Sequence, residues 1–480
     1  MPLSLAETFA LAKLHYYARR KLWHHLGTAA RSELSTGQYD TSDNVFQLYY
    51  AISLLMERRY QECILALDPF YNDKEVALPA KMILIRAHKC CKTVDKNTVN
   101  RLESELKDDK KVADDKSCYL AAFYLYLDET DNEQATELLA NSLNAQPDSL
   151  EYICLKGWIE LHFGRDMKGA VKHFDDALEL CVDDQKYPDA WLGKARYFQL
   201  RRNGGGSLEM MKQAATLMPN FLPIQTEKLR SYLMVQAWDG VIETAQRCQI
   251  IDGQSLEAYE MLILTKICYD AEYQEAVSLL NEFIQQIDER EPKNAAYMVT
   301  YAKLFSRTCC GDMGIIQQCR ILCERAMALE SKELDYGAHA LLGELLRVSG
   351  NIKHAVRSFK EAMDMQISGP GILSGLIRCQ IDSGEISEAQ IQLDFLKEIH
   401  QEFNDTVEFK YLKFLIANAK GSIEKTDAMR ALHEIVTQHF NEANKYLFGP
   451  ELLVELNPCF VLELADILMD YAPVEVNNIW

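Results

Sequence analysis

The chain has 480 residues, of which 48% are hydrophobic and 25% are charged, and its formal net charge is −20. This composition indicates a folded protein with a buried core and argues against a disordered chain. Nucleic acid and anionic membranes both repel a chain of this charge, so we expect no nucleic-acid partner and no direct membrane insertion.

Cysteine usage and the N-terminal residues favour a cytosolic protein. The fourteen cysteines are scattered through apolar segments of helical spacing, which is not the pattern of a disulfide framework. Reduced, buried thiols are the simpler interpretation. No signal peptide is recognisable, because Glu7 interrupts the only apolar stretch near the N-terminus. The longest apolar run, residues 118–127, is about half as long as a bilayer crossing requires.

Residues 1–117 predict degenerate helical repeats. Asp43 is a candidate cap for a helix that runs to about Arg58, and residues 76–91 predict another helix. Residues 101–116 carry five basic and six acidic side chains. This balance indicates a solvated helix or loop and not a charged patch.

Residues 118–400 predict regular repeats of two helices. The clearest unit has Gly343 on one helix, Gly350 at a turn, and Ala355, Phe359 and Ala362 on the next helix. The i, i+4, i+7 spacing of these last three places them on one helical face, and the small residue on the first helix allows close approach. The same pattern recurs at Ala135-Leu139-Ser142, Ala170-Phe174-Ala177, Ser207-Met211-Ala214, Val241-Ala245-Cys248, Ala276-Leu280-Phe283, Cys319-Cys323-Ala326 and Ala389-Leu393-Leu396. Successive copies lie 34 to 43 residues apart, close to the tetratricopeptide period of about 34.

Two copies depart from the regular pattern. The 43-residue step from Ala276 to Cys319 contains residues 307–314, which we interpret as a longer loop between helices. Gly204-Gly205-Gly206 stands where a first helix is expected to turn into a second one.

Residues 401–480 predict further helical repeats and a terminal helix. Helical spacing continues after Glu408, and Asn457-Pro458 marks a break before an apolar helix at 460–471. Strand-type alternation of useful length is absent from the sequence. The predicted fold class is therefore all-α, a tetratricopeptide-repeat right-handed superhelical solenoid. We expect one continuous array without an internal domain boundary.

The sequence predicts no catalytic, cofactor-binding or metal-ligating residues. Residues 204–206 lack the Lys-Ser/Thr and the preceding strand of a phosphate loop. Cys319 and Cys323 lie one turn apart on a predicted buried face, which favours core packing over zinc binding. His24 and His25 point about 100° apart on a helix, so we expect ordinary surface or interface histidines.

A carboxylate clamp of the chaperone-binding kind is disfavoured. Such tetratricopeptide domains hold a terminal carboxylate with Lys and Asn on their first helices. The corresponding positions carry Leu120, Tyr124, Ala340 and Glu344. Apolar and acidic groups cannot bind a carboxylate. Other modes of peptide binding in the concave groove stay open.

Particular segments, several of them in loops, resemble the N-terminal part of the tetratricopeptide-repeat protein 21 family. They occur in colinear order and include Tyr16-Tyr17, His24-His25, Leu192-Gly193-Lys194-Ala195, Glu291-Pro292-Lys293-Asn294-Ala295, Phe305-Ser306-Arg307-Thr308-Cys309 and Leu456-Asn457-Pro458. The generic repeat pattern does not dictate these residues, so they are more specific than the small-large-small face.

The resemblance implies a non-enzymatic scaffold subunit of intraflagellar transport complex A. It implies roles in retrograde ciliary transport, cilium assembly and cargo entry, with other complex A subunits as partners. It further implies a location in the cytoplasm, the cilium and the ciliary base. Members of the family are longer, so we interpret the chain as a truncated product, a short isoform or a diverged short member. The alternative function is a cytosolic adaptor that binds peptides outside cilia.

Overall fold

The computed structural model describes residues 4–36, 43–129, 131–163, 167–181, 186–329, 336–365 and 369–471. Helices connected by turns make up these ranges, and no strand occurs in them. The predicted all-α repeat fold is therefore confirmed. The chain forms two compact units: unit 1 comprises residues 1–232, 246–254 and 288–294, and unit 2 comprises residues 233–245, 255–287 and 295–480. The boundaries expected at residues 117 and 400 stay a prediction.

Most helices are about fourteen residues long and follow one another in pairs. The first fourteen are α1 (Leu5–Arg19), α2 (Trp23–Thr36), α3 (Asp43–Met56), α4 (Tyr60–Leu67), α5 (Ala77–Cys90), α6 (Lys96–Val112), α7 (Asp115–Asp128), α8 (Asn132–Ala145), α9 (Leu150–Phe163), α10 (Met167–Leu180), α11 (Pro188–Leu200), α12 (Gly204–Leu217), α13 (Leu222–Met234) and α14 (Trp238–Ile251). The others are α15 (Leu256–Thr265), α16 (Tyr273–Arg290), α17 (Ala295–Thr308), α18 (Met313–Leu329), α19 (Tyr336–Val348), α20 (Ile352–Met365), α21 (Pro370–Asp382), α22 (Ile386–Ile399), α23 (Val407–Ala419), α24 (Lys425–Ala443), α25 (Pro450–Leu456) and α26 (Pro458–Tyr471). We call the odd-numbered helices up to α23 first helices and their even-numbered partners second helices.

A left-handed residue ends the first helix in ten of the described pairs. These residues are Lys21, Arg58, Glu129, Arg202, Gln236, Ala271, Cys310, Gly350, Gly384 and Gly421. In six of these turns the next N–H reaches back five residues, as from Asn203 to the carbonyl of Phe198 at 2.8 Å. This turn satisfies carbonyls that the helix end leaves open. It occurs after α1 and α3 as well, so the degenerate N-terminal region uses the same helix-turn-helix unit.

The eight small-large-small faces are buried between helices. Every residue of the eight predicted triples is at most 4% exposed. Seven of the triples begin at the fourth residue of the second helix, which places them at the same height in each pair. The predicted repeat register is therefore confirmed.

Glycines on the first helices make room for the large residue of the triple. Phe359 lies against Gly343 of α19 and Gly375 of α21, and a Cβ built on Gly343 would lie 2.8 Å from its ring. Phe174 lies in the same way between Gly157 of α9 and Gly193 of α11. Each ring therefore contacts its own first helix and the next one, which is how consecutive repeats stabilise each other.

The expected long loop at residues 307–314 is wrong. The connection between α17 and α18 is only residues 309–312, and Gly311 has a left-handed φ of 84°. The extra residues of the 43-residue step extend helices instead. Helix α16 has 18 residues and α18 has 17, and Cys319 is the seventh residue of its helix.

The three glycines at 204–206 do not form the turn itself. The turn lies at residues 201–203, and the glycines make the first turn of α12. Asn203 caps this helix, because its side chain accepts the N–H of Gly206 at 2.9 Å. The cap explains how a glycine-rich segment begins a helix despite its low intrinsic propensity.

Candidate interaction surfaces

In unit 1, helix α1 lies against the first helices of the following pairs. His15 Nε2 is 2.7 Å from the hydroxyl of Tyr49 on α3, and the His15 ring centroid is 4.5 Å from that of Phe123 on α7. Tyr16 donates a hydrogen bond to Glu227 of α13 at 3.4 Å. We call the surface formed by α3, α7, α9, α11 and α13 the first-helix face of unit 1. The chain's own α1 therefore occupies this face.

A buried ion pair fixes the end of α1 on this face. Arg19 pairs with Asp189 of α11, and the two side chains are only 9% and 4% exposed. The Arg19 guanidinium lies over the ring of Trp158 on α9, 4.1 Å from its centroid. Burial acts to lower the pKa of Arg19, but the Asp189 carboxylate more than offsets it and the pKa is raised. Arg19 is therefore charged at neutral pH.

His15 lies beside this ion pair in its neutral form. Its Nδ1 is 4.0 Å from Asp189. Burial lowers the pKa of His15 to about 4, and the nearby Arg19 charge adds to this, while Asp189 acts in the opposite direction. A neutral imidazole can donate or accept with Tyr49 and leaves the Asp189 carboxylate to Arg19.

The expectation of ordinary surface or interface histidines at 24 and 25 is wrong for His25, which is buried within the chain at 8% exposure. Glu291, whose side chain is 1% exposed, accepts from the His25 backbone N–H at 3.0 Å and contacts His25 Nδ1 at 2.7 Å. It also accepts from the backbone N–H of His24 at 3.3 Å. Glu291 is thus a carboxylate at the N-terminus of α2, where free N–H groups favour a negative charge. Asn294 donates to the Lys21 carbonyl at 2.8 Å and completes the junction.

In unit 2, helices α25 and α26 lie against first helices. Arg307 of α17 donates to the backbone carbonyl of Val454 at 2.7 Å. The thiol of Cys459 donates to the carbonyl of Ser306, also on α17, at 3.3 Å. His439 Nε2 contacts the Leu456 carbonyl at 2.7 Å, so it is the donor to the end of α25. The chain bends between α25 and α26 at Asn457, which has a left-handed φ of 44°. The contacts just described lie on both sides of this bend.

Apolar side chains hold α26 more extensively than charges do. Leu464 and Leu468 lie in one buried cluster with residues of α23 and α24. The ring of Phe460 meets Tyr411 edge-on at 5.0 Å. Arg378 of α21 pairs with Glu463, which is 38% exposed. We call the surface formed by α17, α21 and α23 the first-helix face of unit 2, and α26 occupies it.

The positions considered for a carboxylate clamp have other roles. Leu120 and Tyr124 are buried at 2% and 3% exposure. Glu344 pairs with Arg347 at 2.7 Å, and Arg347 also binds Asp382 at 2.9 Å. Burial acts to raise the pKa of Glu344, but Arg347 and the neighbouring arginines lower it to about 2. A charged carboxylate that is already paired with arginine repels the terminal carboxylate of a peptide and cannot bind it.

Other motifs considered from the sequence are structural in the described residues. Cys319 and Cys323 are fully buried in α18 and are not disulfide-bonded. The described ranges contain no group of three or more His, Cys, Asp and Glu side chains placed to hold a metal ion. Within the same ranges, no helix combines the length and the apolar character needed to cross a bilayer. The absence of catalytic, cofactor and metal residues stays a prediction.

Sequence reasoning missed the polar junctions that hold α1, α2 and α26. Their partners are far apart in the chain, as with Arg19 and Asp189 or His25 and Glu291. One signal was present: Glu291 and Asn294 belong to a loop whose residues the repeat pattern does not dictate.

Two family descriptions match the chain, in order. Residues 14–242 match the tetratricopeptide repeat protein 21 N-terminal ARM repeat, and residues 278–478 match the second ARM domain of the same protein. Tetratricopeptide repeat protein 21B of Homo sapiens is 29% identical over 96% of this chain, and that of Xenopus laevis is 30% identical over 96%. Tetratricopeptide repeat protein 21A of Mus musculus is 29% identical over 98%.

The chain spans about a third of the length of these relatives, since the matched part is 34% of both 21B proteins and 35% of the 21A protein. Among solved structures, yeast Tom70 is 13% identical, with a TM-score of 0.43 over 86% of this chain and 95% of that one. A TM-score this low indicates nothing about the function of this chain.

Proposed function

We propose, from the premise that the chain belongs to the tetratricopeptide repeat protein 21 family, that it is a non-enzymatic scaffold subunit of intraflagellar transport complex A. It supports retrograde ciliary transport, cilium assembly and cargo entry through contacts with other subunits of that complex. It acts in the cytoplasm, at the ciliary base and in the cilium.

One observation carries this proposal: the two family segments follow each other through nearly the whole chain. Residues of a segment that resembles the family also make structural contacts in this chain. Glu291, for example, lies in a family-like loop and binds the start of α2.

An exposed apolar stripe on α22 supports a role in protein contacts. Ile391, Phe395 and Ile399 are 68%, 50% and 46% exposed and lie four residues apart, on one side of the helix. Contiguous exposed apolar side chains are typical of protein-binding surfaces, whereas single ones are ordinary. We assign this stripe to another subunit of the complex.

The alternative, an adaptor that binds linear peptides outside cilia, has less support. It requires an accessible groove along the first helices. In the described residues, α1 lies on the first-helix face of unit 1 and α26 on that of unit 2. A peptide would have to displace a helix that buried side chains hold in place.

Affinity purification of the tagged chain from ciliated cells, followed by mass spectrometry, tests the proposal. We expect complex A subunits to be recovered and the chain to localise to cilia and their bases. A folded, soluble chain that recovers none of these subunits and stays away from cilia would contradict the proposal. Saturable binding of a linear peptide by the isolated chain would then favour the adaptor.

A matched pair of variants sharpens the experiment. Ile391→Ser with Phe395→Ser removes most of the stripe and is expected to reduce the recovery of at least one subunit. Ile250→Ser is the control, because Ile250 is 76% exposed and belongs to a different helix, α14. Equal recovery with both variants would exclude α22 as the contact while leaving the family-based role in place.

A further inference from the structure

Two cysteine thiols that are far apart in sequence meet at the end of α17. Cys309 Sγ and Cys459 Sγ each donate to the same acceptor, the backbone carbonyl of Ser306, and each lies 3.3 Å from it. Because both sulfur atoms lie 3.3 Å from one oxygen atom, they can be no more than twice that distance apart. Neither forms a disulfide in the structure. The pair joins the first residue after α17 to the second residue of α26.

The two sulfurs have different environments. Cys309 is fully buried, whereas Cys459 is partly exposed. When Cys459 loses its proton it no longer donates to Ser306, and the Cys309 thiol can donate to it instead. This hydrogen bond, the backbone N–H groups of Gly311 and Cys310, and the Arg307 charge lower the pKa of Cys459 to about 7, against the opposing effect of burial. The same contact and burial raise the pKa of Cys309. Cys459 is therefore the accessible thiolate and Cys309 the protected thiol beside it.

We propose that Cys309 and Cys459 form a redox modification site that a hydroperoxide converts to a disulfide, which ties α26 to α17. The Cys459 thiolate attacks one peroxide oxygen, the O–O bond breaks, and the sulfur becomes a sulfenic acid while hydroxide leaves. Cys309 then attacks that sulfur, its proton goes to the departing hydroxide, and the S–S bond forms. The sulfurs lose two electrons and the peroxide gains them. With hydrogen peroxide, the second step releases one water, and the hydroxide from the first step becomes a second water by taking up the proton that Cys459 released when it ionised.

This modification would act on a surface already described. The first-helix face of unit 2 is covered by α26, and the disulfide would fix that helix covalently to α17. Oxidised chain would keep the face covered, whereas reduced chain could release α26 through ordinary local opening. The site does not depend on the ciliary role, because it is tested on the purified chain alone.

The test treats the purified 480-residue chain with hydrogen peroxide and maps disulfides by non-reducing peptide mass spectrometry. We expect a Cys309–Cys459 cross-linked peptide, removed by dithiothreitol, and slower hydrogen exchange in residues 458–471 after oxidation. Cys459→Ser should abolish the cross-link. Cys309→Ser should leave a sulfenic acid at Cys459 that a dimedone reagent traps.

Cys310→Ser is the matched control, because Cys310 is the exposed neighbour of Cys309 and lies outside the pair. It should leave the cross-link unchanged. The proposal is overturned if peroxide oxidises other thiols while Cys309 and Cys459 stay reduced, or if Cys459 pairs with Cys310 instead. Thermal melts of the reduced variants check that each is folded, so a missing cross-link in a folded wild-type chain also counts against the site.

Discussion

Unit 1 and unit 2 each hold a helix on their first-helix face, but with different chemistry. In unit 1, α1 ends in the Arg19–Asp189 pair, which is nearly inaccessible to water. In unit 2, α26 is held by an apolar cluster, and its ion pair, Arg378–Glu463, is partly exposed. A buried charge left without its partner is costly, whereas an exposed pair contributes little. Loss of one partner of the ion pair should therefore destabilise unit 1 strongly and unit 2 only slightly.

The largest effect is expected from Arg19→Met. It leaves the Asp189 carboxylate buried without its counter-charge, and we expect a loss of about 3–5 kcal/mol in the stability of unit 1. Hydrogen exchange followed by mass spectrometry should show the loss in α1 and α11. Adding Asp189→Leu should recover much of the stability, because the double variant buries no charge. Full stability of Arg19→Met would show that α1 is not anchored by this pair.

The pH dependence should differ between the units. His15 has a folded pKa of about 4 against an ordinary value of 6.5, so the folded state binds fewer protons than the unfolded state between these values. Stability from the neutral imidazole is therefore lost as pH falls from about 6.5 to about 4, by up to ~3 kcal/mol. For Glu344, with a folded pKa of about 2, the loss comes only as pH falls from 4.5 towards 2.

The comparison of wild type with His15→Gln isolates this contribution. Glu151, whose pKa burial raises to about 7, acts in the opposite direction, since its stabilising effect is lost as pH rises from 4.5 to 7. It is present in both proteins and cancels in the difference. Urea denaturation between pH 4 and 7 should show the stability gap changing with pH. A gap that is constant with pH would contradict a neutral His15.

The packing of the repeats should respond equally in both units. Gly193→Ala in α11 and Gly375→Ala in α21 each place a Cβ against a phenylalanine ring, and we expect losses of about 1–3 kcal/mol. Gly371→Ala is the control on α21, because a Cβ there meets no atom within 4 Å. Thermal melts should rank both clash variants below the control. Equal melting of Gly375→Ala and Gly371→Ala would place Phe359 elsewhere.

The smallest effect is expected from Glu463→Gln. It removes the ion pair with Arg378, but Glu463 is 38% exposed and water replaces the contact, so the loss should stay below about 1 kcal/mol. Hydrogen exchange in α26 is the measurement. A loss as large as that of Arg19→Met would mean that charge, and not the apolar cluster, holds α26.

The repeat fold was predictable because it depends on short-range patterns. The triples with Ala170 and Ala355 mark one helical face each, and all eight triples are buried as expected. The position of α1 and α26 was not predictable, because it depends on pairs such as Arg378 and Glu463 that are distant in sequence. The supposed loop at 307–314 failed for another reason: an enlarged period shows that residues are added but not whether they extend a loop or a helix.

The phenylalanine between two glycines also has a mechanical consequence. Phe359 touches Gly343 and Gly375, so the thickness of one aromatic ring sets the gap between α19 and α21. The ring acts as a spacer between neighbouring helix pairs, and a smaller side chain such as leucine would let the pairs approach each other at that point. The bend between adjacent repeats is therefore adjustable one residue at a time, which gives selection a fine control over the local curvature of each stack.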